Sequence, residues 1–172
     1  MGNNWKITDT LTKVFAEEAP DGQGSIRFST LHRETVSCVI AYFGAADWGR
    51  YWKVSVKAPE KIETRLRRVE LVPSAYPCHK EQDDNYLRIV PGMYPDLLRD
   101  LDTEGDGADK KYLTKEVPGQ WRSLWLDVTV DAELAGGDYA IMIEMETEDG
   151  EKETLKADLH VVDASLPPQK LL

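Results

Sequence analysis

The chain has 172 residues, enough for one domain or at most a tight pair. Hydrophobic residues make up 41% and charged residues 30%, which is ordinary for a globular protein and excludes a disordered chain. The net charge of −10 argues against nucleic acid as a partner, because phosphate binding rewards clustered Lys and Arg. The acidity belongs to residues 100–172, which hold 18 acidic and 7 basic residues.

No run of apolar residues is long enough to cross a membrane as a helix, so no membrane contact is predicted. The first ten residues show no basic flank followed by an apolar run, which predicts that this chain carries no secretion signal. Cys38 and Cys78 are the two cysteines. A cytoplasmic protein with free thiols is therefore predicted, with a single disulfide left open.

Alternation of apolar and polar residues dominates the chain and predicts at least seven short strands. These runs lie at 5–11 (with an extension to Phe15), 36–43, 52–57, 65–71, 124–130, 139–146 and 155–161. Both faces of the 36–43 run are apolar, so both are expected to be buried. In the 65–71 run the apolar phase slips between Leu66 and Val69, which predicts a bulge or a bend.

Turn signals lie between the last three runs, at Gly136-Gly137 and Asp149-Gly150, and predict three consecutive antiparallel strands. Helical spacing occurs only in Pro95–Leu101, where one or two turns are expected. The predicted fold class is all-β: a two-sheet antiparallel β-sandwich with a long proline-rich arm and at most one short helix. The arm runs from Pro73 to Pro95, and its four prolines favour a fixed path without regular structure.

The inventory of catalytic chemistry is thin. His32, His79 and His160 have no evident nucleophile beside them, and His160 is expected on a solvated strand face. Cys78-His79 with nearby carboxylates is a weak zinc signal. The Asp102–Asp109 stretch fails as a calcium loop, because Leu113 stands where a bidentate Glu is needed. We therefore predict no catalytic residue, no metal and no cofactor.

Aromatic residues are the more informative feature. Trp48, Tyr51 and Trp52 cluster at one strand entrance. Trp121 and Trp125 lie four apart on one strand and so share a face, opposite the aliphatic face of that strand. An outward tryptophan pair needs a cover, and packing by the chain itself, contact with another domain and stacking on a sugar ring all stay open.

The segment Val69–Asp100 resembles the N-terminal domain of glycoside hydrolase family 123-like proteins, also called the domain-of-unknown-function 4091 family. The matching positions are Val69, Val72, Pro73, Asp83, Tyr86, Leu87, Arg88, Pro91, Gly92, Tyr94, Pro95, Asp96 and Leu98. Residues 120–128 and 135–139 resemble the strand pair of that family, and residues 166–171 resemble the hinge before its next domain. The resemblance covers nearly the whole chain.

What the resemblance implies is a β-sandwich accessory domain at residues 1–163, with 164–172 as a linker toward a C-terminal TIM-barrel-like domain. In the glycosidases of that family an Asp-Glu pair in the barrel assists hydrolysis of N-acetylgalactosaminides. This chain contains no Asp-Glu dipeptide, so no catalytic residue carries over. The chain is read as a module of a longer protein that is not an enzyme by itself.

Two functions from different classes follow. The first is a non-catalytic domain that packs against and supports the barrel of the same polypeptide, with Arg88 expected to pin the arm by pairing with Asp83, Asp84 or Asp96. The second is a carbohydrate-binding module for N-acetylgalactosamine-type glycans. The residues predicted to make either contact are Trp48, Tyr51, Trp52, Tyr86, Arg88, Tyr94, Trp121 and Trp125. A free-standing interaction protein is a third, weaker reading.

Overall fold

The computed structural model describes residues 4–46, 48–77 and 86–167. It contains eleven strands: β1 (Trp5–Thr8), β2 (Ser25–His32), β3 (Thr35–Phe43), β4 (Tyr51–Lys57), β5 (Ile62–Ser74), β6 (Gly92–Asp100), β7 (Thr103–Glu104), β8 (Lys111–Lys115), β9 (Trp121–Val130), β10 (Gly137–Thr147) and β11 (Lys152–Ser165). The helix content of this described part is a single 3₁₀ turn at Gly107–Asp109. No helix there is long and apolar enough to cross a membrane.

The strands form two sheets. Sheet A has the order β1-β3-β9-β5-β6 and sheet B the order β2-β11-β10-β4-β8-β7. This confirms the all-β, two-sheet sandwich. One pairing departs from the antiparallel expectation, because β2 and β11 run parallel. These two strands are far apart in the chain, so no tight hairpin obliges them to be antiparallel.

The core lies between the sheets and is filled by alternate residues of each strand. Sheet A contributes Ile40, Leu124 and Leu126, and sheet B contributes Ile141 and Ile143, all fully buried. At one end of the core three aromatic rings meet. Trp5 stacks on Tyr42 with ring centroids 4.7 Å apart, and it meets Trp52 edge-on at 5.2 Å.

The connections around β10 were only partly predicted. Asp149-Gly150 does turn β10 into β11, with Gly150 at φ +85°. The predicted run of three consecutive strands is wrong at its start, because β9 lies in sheet A between β3 and β5. The chain crosses from one sheet to the other before Gly137. Alternation has the same period in either sheet, so it does not reveal such a crossing.

Three local predictions are also corrected. Residues 95–101 do not form a helical turn, because Gly92–Asp100 is the edge strand β6 paired with β5. Proline has no backbone N–H to donate to a neighbouring strand. An edge strand tolerates Pro95 because it has a neighbouring strand on one side only.

The bulge predicted between Leu66 and Val69 is wrong, because β5 pairs with β9 in unbroken register there. The phase slips because Leu66 faces the inter-sheet core and Val69 faces the outer side of sheet A. The register of the β5–β6 pair does shift between Glu70 and Leu71, but the extra residue, Asp96, lies in β6. The first run ends at Thr8 rather than Leu11, where the Asp9 side chain accepts N–H bonds from Leu11 and Thr12.

Cys38 is a free, fully buried cysteine on the inner face of β3, and Cys78 lies outside the described residues. Burial, with a smaller contribution from the charge of Asp127, raises the pKa of the Cys38 thiol to about 12. The thiolate is the reactive form, so Cys38 is expected to be inert in the folded protein.

In a Cys78→Ser variant we therefore predict no reaction of the native protein with Ellman's reagent at about pH 8, and one thiol released after unfolding. The matched Cys38→Ser variant reports Cys78 under the same conditions. Rapid labelling of Cys38 without unfolding would contradict its placement in the core.

Candidate functional site

The two outer faces of the sandwich differ sharply in chemistry. The outer face of sheet B carries ion pairs between strands: Lys57–Glu144 at 2.6 Å, Lys53–Glu104 at 2.7 Å, Lys152–Glu146 at 3.2 Å and Arg27–Asp138 at 3.5 Å. Another pair, Lys156–Asp158 at 2.7 Å, lies along β11. His160 lies on this face as expected, with Nδ1 2.9 Å from Asp138 Oδ1. Exposed pairs of this kind contribute little to stability. These charged side chains make the outer face of sheet B well solvated.

The outer face of sheet A is covered in part by a segment that we call the strap, residues 9–18. Val14 of the strap is buried against Val39 and Ala41 of β3, and Trp121 and Trp125 pack against the same cluster. The Trp121 backbone N–H donates to the Ala16 carbonyl at 2.8 Å. The strap explains why both faces of β3 are buried, as its sequence predicted.

Arg88 fastens the strap to the loop between β5 and β6. Its guanidinium lies 3.7 Å from the centre of the Phe15 ring and donates to Glu17 at 2.5 Å and Glu18 at 2.6 Å. The hydrogen bond from Arg88 lowers the pKa of Glu17. The expected pairing of Arg88 with Asp96 is therefore wrong. The other two expected partners, Asp83 and Asp84, lie outside the described residues.

Tyr94 supports this junction from β6. Its ring meets Phe15 edge-on, with centroids 5.8 Å apart, and its hydroxyl donates to the Val90 carbonyl at 2.5 Å. Three parts of the chain, the strap, the β5–β6 loop and β6, are thus held together. The signal for Phe15 was weak in the sequence, because its role depends on contacts made between distant segments.

Two adjoining grooves follow the line between the strap and β6. The Trp125 groove has a volume of about 200 Å³ and is lined by Trp125, Val39, Val69, Thr10 and Leu98, among others. The Tyr94 groove has a volume of about 540 Å³ and is lined by Phe15, Tyr86, Leu87, Arg88 and Tyr94, among others. Lys13, Pro95 and Asp96 line both grooves, so the two are continuous.

Trp125 is held in place by a partly buried hydrogen-bond network centred on Asp127. Asp127 Oδ1 accepts from Trp125 Nε1 and from Ser37 Oγ, both at 2.7 Å, and Oδ2 accepts from Arg67 Nη2 at 2.5 Å. Burial raises the pKa of Asp127, but the hydrogen bonds from Ser37, Trp125 and Arg67 outweigh it and leave the pKa below its usual value. The network fixes the orientation of the indole ring.

The structure divides the eight predicted contact residues into separate places. Tyr86, Arg88, Tyr94 and Trp125 come together around the two grooves. Trp121 lies beyond them, with its ring 5.4 Å from that of Phe43 and the Lys6 ammonium 5.1 Å from its centre.

The remaining three residues lie in and around β4. Trp48 and Tyr51 are exposed, with Arg50 6.0 Å and Lys115 4.8 Å from their respective ring centres. Trp52 is a core residue, only 2% exposed, and its Nε1 donates to Glu116 Oε1 at 2.7 Å. Lys13 and Asp96, which line both grooves, were not predicted as groove-lining residues. Asp96 was expected to pair with Arg88, and Lys13 had no signal, because these two charges meet only in the folded chain.

No family model and no curated protein matches this sequence. Among solved structures, the chain is similar to part of a family 123 glycoside hydrolase from Clostridium perfringens that was studied for glycolipid glycan hydrolysis. The TM-score is 0.66 at 10% sequence identity, and the match covers 95% of this chain and 27% of that chain. At this identity the likeness shows the fold. The chain has the fold of a β-sandwich that forms about a quarter of a glycoside hydrolase structure.

Two further structures are more loosely similar. The N-terminal domain of PorA matches with a TM-score of 0.45 and 8% identity, over 94% of this chain and 99% of that one. The CaDoc0917–CaCohA2 complex contains a chain with a TM-score of 0.43 and 12% identity, over 80% of this chain and 97% of that one.

The Asp127 network makes a prediction about acid stability. We expect Asp127→Asn to lower the free energy of unfolding at pH 7 by about 2 kcal/mol, because hydrogen bonds to a partly buried carboxylate are lost. Since the folded-state pKa of Asp127 is depressed, its contribution is present above the unfolded-state pKa and is lost as pH falls.

Urea unfolding at pH 7 and at about pH 3 measures the free energy of unfolding of the wild type and of Asp127→Asn at each pH. The difference in free energy of unfolding between the two proteins should be smaller at the acidic pH. The control is Asp100→Asn, which breaks an exposed pair with Arg65 and should change stability by less than about 0.5 kcal/mol. A gap that stays constant with pH would argue against a charged Asp127 as the centre of the network.

Arg88 makes a prediction about the strap. We expect Arg88→Gln to speed hydrogen exchange of the Trp121 backbone amide about fivefold, which corresponds to about 1 kcal/mol of lost strap attachment. The matched control is Arg99→Gln, on β6, whose contact to Glu70 is 3.9 Å and exposed. Equal exchange rates in the two variants, measured by NMR, would show that Arg88 does not hold the strap.

Proposed function

We propose that this chain is a non-catalytic accessory domain of a glycoside hydrolase-like protein, and that it packs against a neighbouring domain of the same polypeptide. The observation that carries the proposal is an apolar patch on and beside the β5–β6 loop. Its members are large hydrophobic side chains with substantial exposure: Tyr76, Tyr86, Leu87, Ile89, Val90, Met93 and Leu97. Tyr76 is 92% exposed and Leu87 is 74% exposed.

The seven side chains all lie between residues 76 and 97, and this clustering along the chain distinguishes the patch from single exposed apolar residues. Contiguous exposed apolar surface marks an interaction site, whereas single exposed residues need no explanation. In the described part of the chain, the other large exposed hydrophobic residues are spread over distant segments: Leu11, Trp48, Tyr51, Val162 and Leu166. Docking of another domain on this patch would therefore bury more exposed apolar side chains than docking on any of those other segments.

The patch is also held in a fixed position. Val90 receives a hydrogen bond from the Tyr94 hydroxyl, and Arg88 ties the loop to Glu17 and Glu18 of the strap. A surface ordered before binding loses less conformational entropy when it docks. The ion-paired face of sheet B lies on the other side of the sandwich and favours contact with water. This asymmetry supports docking through one side.

The likeness to a glycoside hydrolase structure supports the identity of the neighbour. The chain matches 27% of that structure's length, which fits one domain of a larger enzyme. In this proposal the neighbour is a TIM-barrel-like domain that hydrolyses N-acetylhexosaminides, and this chain supports it without supplying a catalytic group. Within the described residues, no group of three or more His, Cys, Asp or Glu side chains is placed to hold a metal.

The first test is the reading frame that encodes the chain. A barrel-length extension after residue 172 supports the proposal, and a stop codon there overturns it in favour of a free-standing interaction protein. The second test compares Leu87→Glu in the isolated chain and in the extended polypeptide by differential scanning calorimetry.

In the isolated chain Leu87→Glu should change stability by less than about 0.5 kcal/mol, because the side chain is already exposed. In the extended polypeptide it should lower the Tm of the sandwich by about 5 °C, as expected for a buried contact at an interface. Val162→Glu, an apolar-to-acid change outside the patch, is the matched control. Identical effects of Leu87→Glu in both proteins would show that nothing docks on the patch.

A further inference from the structure

We infer that the Trp125 groove binds one pyranose ring of a neutral sugar. This goes beyond the proposed docking role, which depends on the apolar patch. The groove joins an aromatic wall to hydrogen-bonding groups at its rim, and a sugar ring needs both, since its C–H face is apolar and its edge carries hydroxyls.

The aromatic wall of the groove, the Trp125 ring, is preorganised in the free protein. The Trp125 indole is held by its Nε1 bond to Asp127, which also accepts from Ser37 and Arg67. Val39 and Val69 lie beside it in the groove and keep its surroundings apolar. A ring fixed in this way offers a stacking surface without losing rotamer freedom on binding.

The rim supplies polar groups that the protein itself leaves unused. Thr10, Lys13 and Asp96 line the groove, and none of their side chains makes a hydrogen bond or ion pair within the described part of the chain. Lys13 and Asp96 do not pair with each other either, although both face the same space. A carboxylate accepts hydrogen bonds from hydroxyls and an ammonium donates to hydroxyl oxygens. The two together suit a neutral polyhydroxylated ring.

An apolar occupant fits this rim poorly. A hydrophobic side chain from another domain would take Lys13 and Asp96 out of water without giving either a partner, which costs free energy. A bound anion would be repelled by the Asp96 carboxylate, and a bound cation would be repelled by the Lys13 ammonium. An uncharged sugar is repelled by neither group.

The size of the groove limits the ligand to one ring. Its volume of about 200 Å³ is below the roughly 300–1,000 Å³ usual for drug-sized ligands. The Tyr94 groove continues from it through Lys13, Pro95 and Asp96 and adds the aromatic rings of Phe15 and Tyr94. A longer glycan would therefore extend from Trp125 toward Tyr94.

Two other exposed aromatic residues, Trp48 and Tyr51, suit a sugar less well. Trp48 and Tyr51 each have a cation near the ring, Arg50 and Lys115 respectively. Stacking a sugar on either ring would first displace that cation. The choice of Trp125 over these two residues rests on its place in the groove wall and on the unpaired polar side chains at the rim.

The test is an NMR titration of the isolated chain that follows the indole N–H resonance of Trp125, assigned by its loss in Trp125→Phe. The probes are methyl galactoside, methyl glucoside and N-acetylgalactosamine, with sorbitol as an acyclic polyol control. We expect a saturable shift with at least one pyranoside, with a Kd in the millimolar range, and no saturable shift with sorbitol.

Rim variants show whether the shift reports the proposed site. Asp96→Asn and Lys13→Gln alter exposed side chains and should each weaken binding about tenfold, as expected for the loss of a charged hydrogen bond. Asp100→Asn, on the same strand and outside the groove, should bind as the wild type does. No saturable shift with any pyranoside overturns the inference, and so does unchanged affinity in both rim variants.

Failure here is distinguishable from failure of the docking proposal. The sugar titration uses the isolated chain and reads the groove, whereas the calorimetry reads Leu87 in the extended polypeptide. If a side chain of the neighbouring domain fills the groove, the Trp125 indole N–H resonance of the isolated chain would not shift with sugar. Leu87→Glu would still lower the Tm of the extended polypeptide.

Discussion

Sheet A carries apolar residues on both of its faces, and the rest of the structure follows from that constraint. Val39 and Ala41 point away from the inter-sheet core and are nevertheless buried, because Val14 of the strap covers them. Burying the Val14 side chain gains about 1.5–3 kcal/mol, which is less than the entropy cost of ordering the whole strap. The Trp121–Ala16 hydrogen bond and the contacts of Arg88 with Glu17 and Glu18 therefore also hold it. Phe15 of the strap meets Tyr94 of β6. The two grooves follow this line of contact, so the candidate site lies where the covering segment meets the edge strand.

Alternation in the sequence identified most strands and the double-sided character of β3, because the period of two depends only on local geometry. It did not identify sheet neighbours. β9 and β10 are consecutive, yet they lie in different sheets, and β2 pairs in parallel with β11. The error at β6 has a different origin. Pro95 and the short apolar spacing after it are equally compatible with a helix start and with an edge strand, and the choice is made by pairing with β5.

The candidate site shows the same division. Composition marked the aromatic residues, and alternation already placed Trp52 in phase with the buried Val54 and opposite Lys53. The phase was the better guide, since Trp52 is in the core and Tyr51 beside it is exposed. Phe15 and Lys13 carried no motif, and Asp96 was marked only as part of the family-like stretch and as a partner for Arg88. They line the grooves because the strap and β6, which are distant in the chain, contact each other on the outer face of sheet A. Such a tertiary contact leaves no local pattern in the sequence.

The two proposals share one side of the molecule, and their geometry connects them. Leu87 and Tyr86 belong to the apolar patch and also line the Tyr94 groove. A domain docked on the patch would therefore form a wall of that groove. A glycan held at Trp125 would extend along Lys13 and Asp96 toward the same wall. The outer face of sheet B has a depression of about 420 Å³, but the described residues that line it, such as Lys53, Lys57 and Glu144, include no aromatic ring on which a sugar could stack. Docking and sugar binding would then act together, with the sandwich presenting a glycan to the domain that it supports.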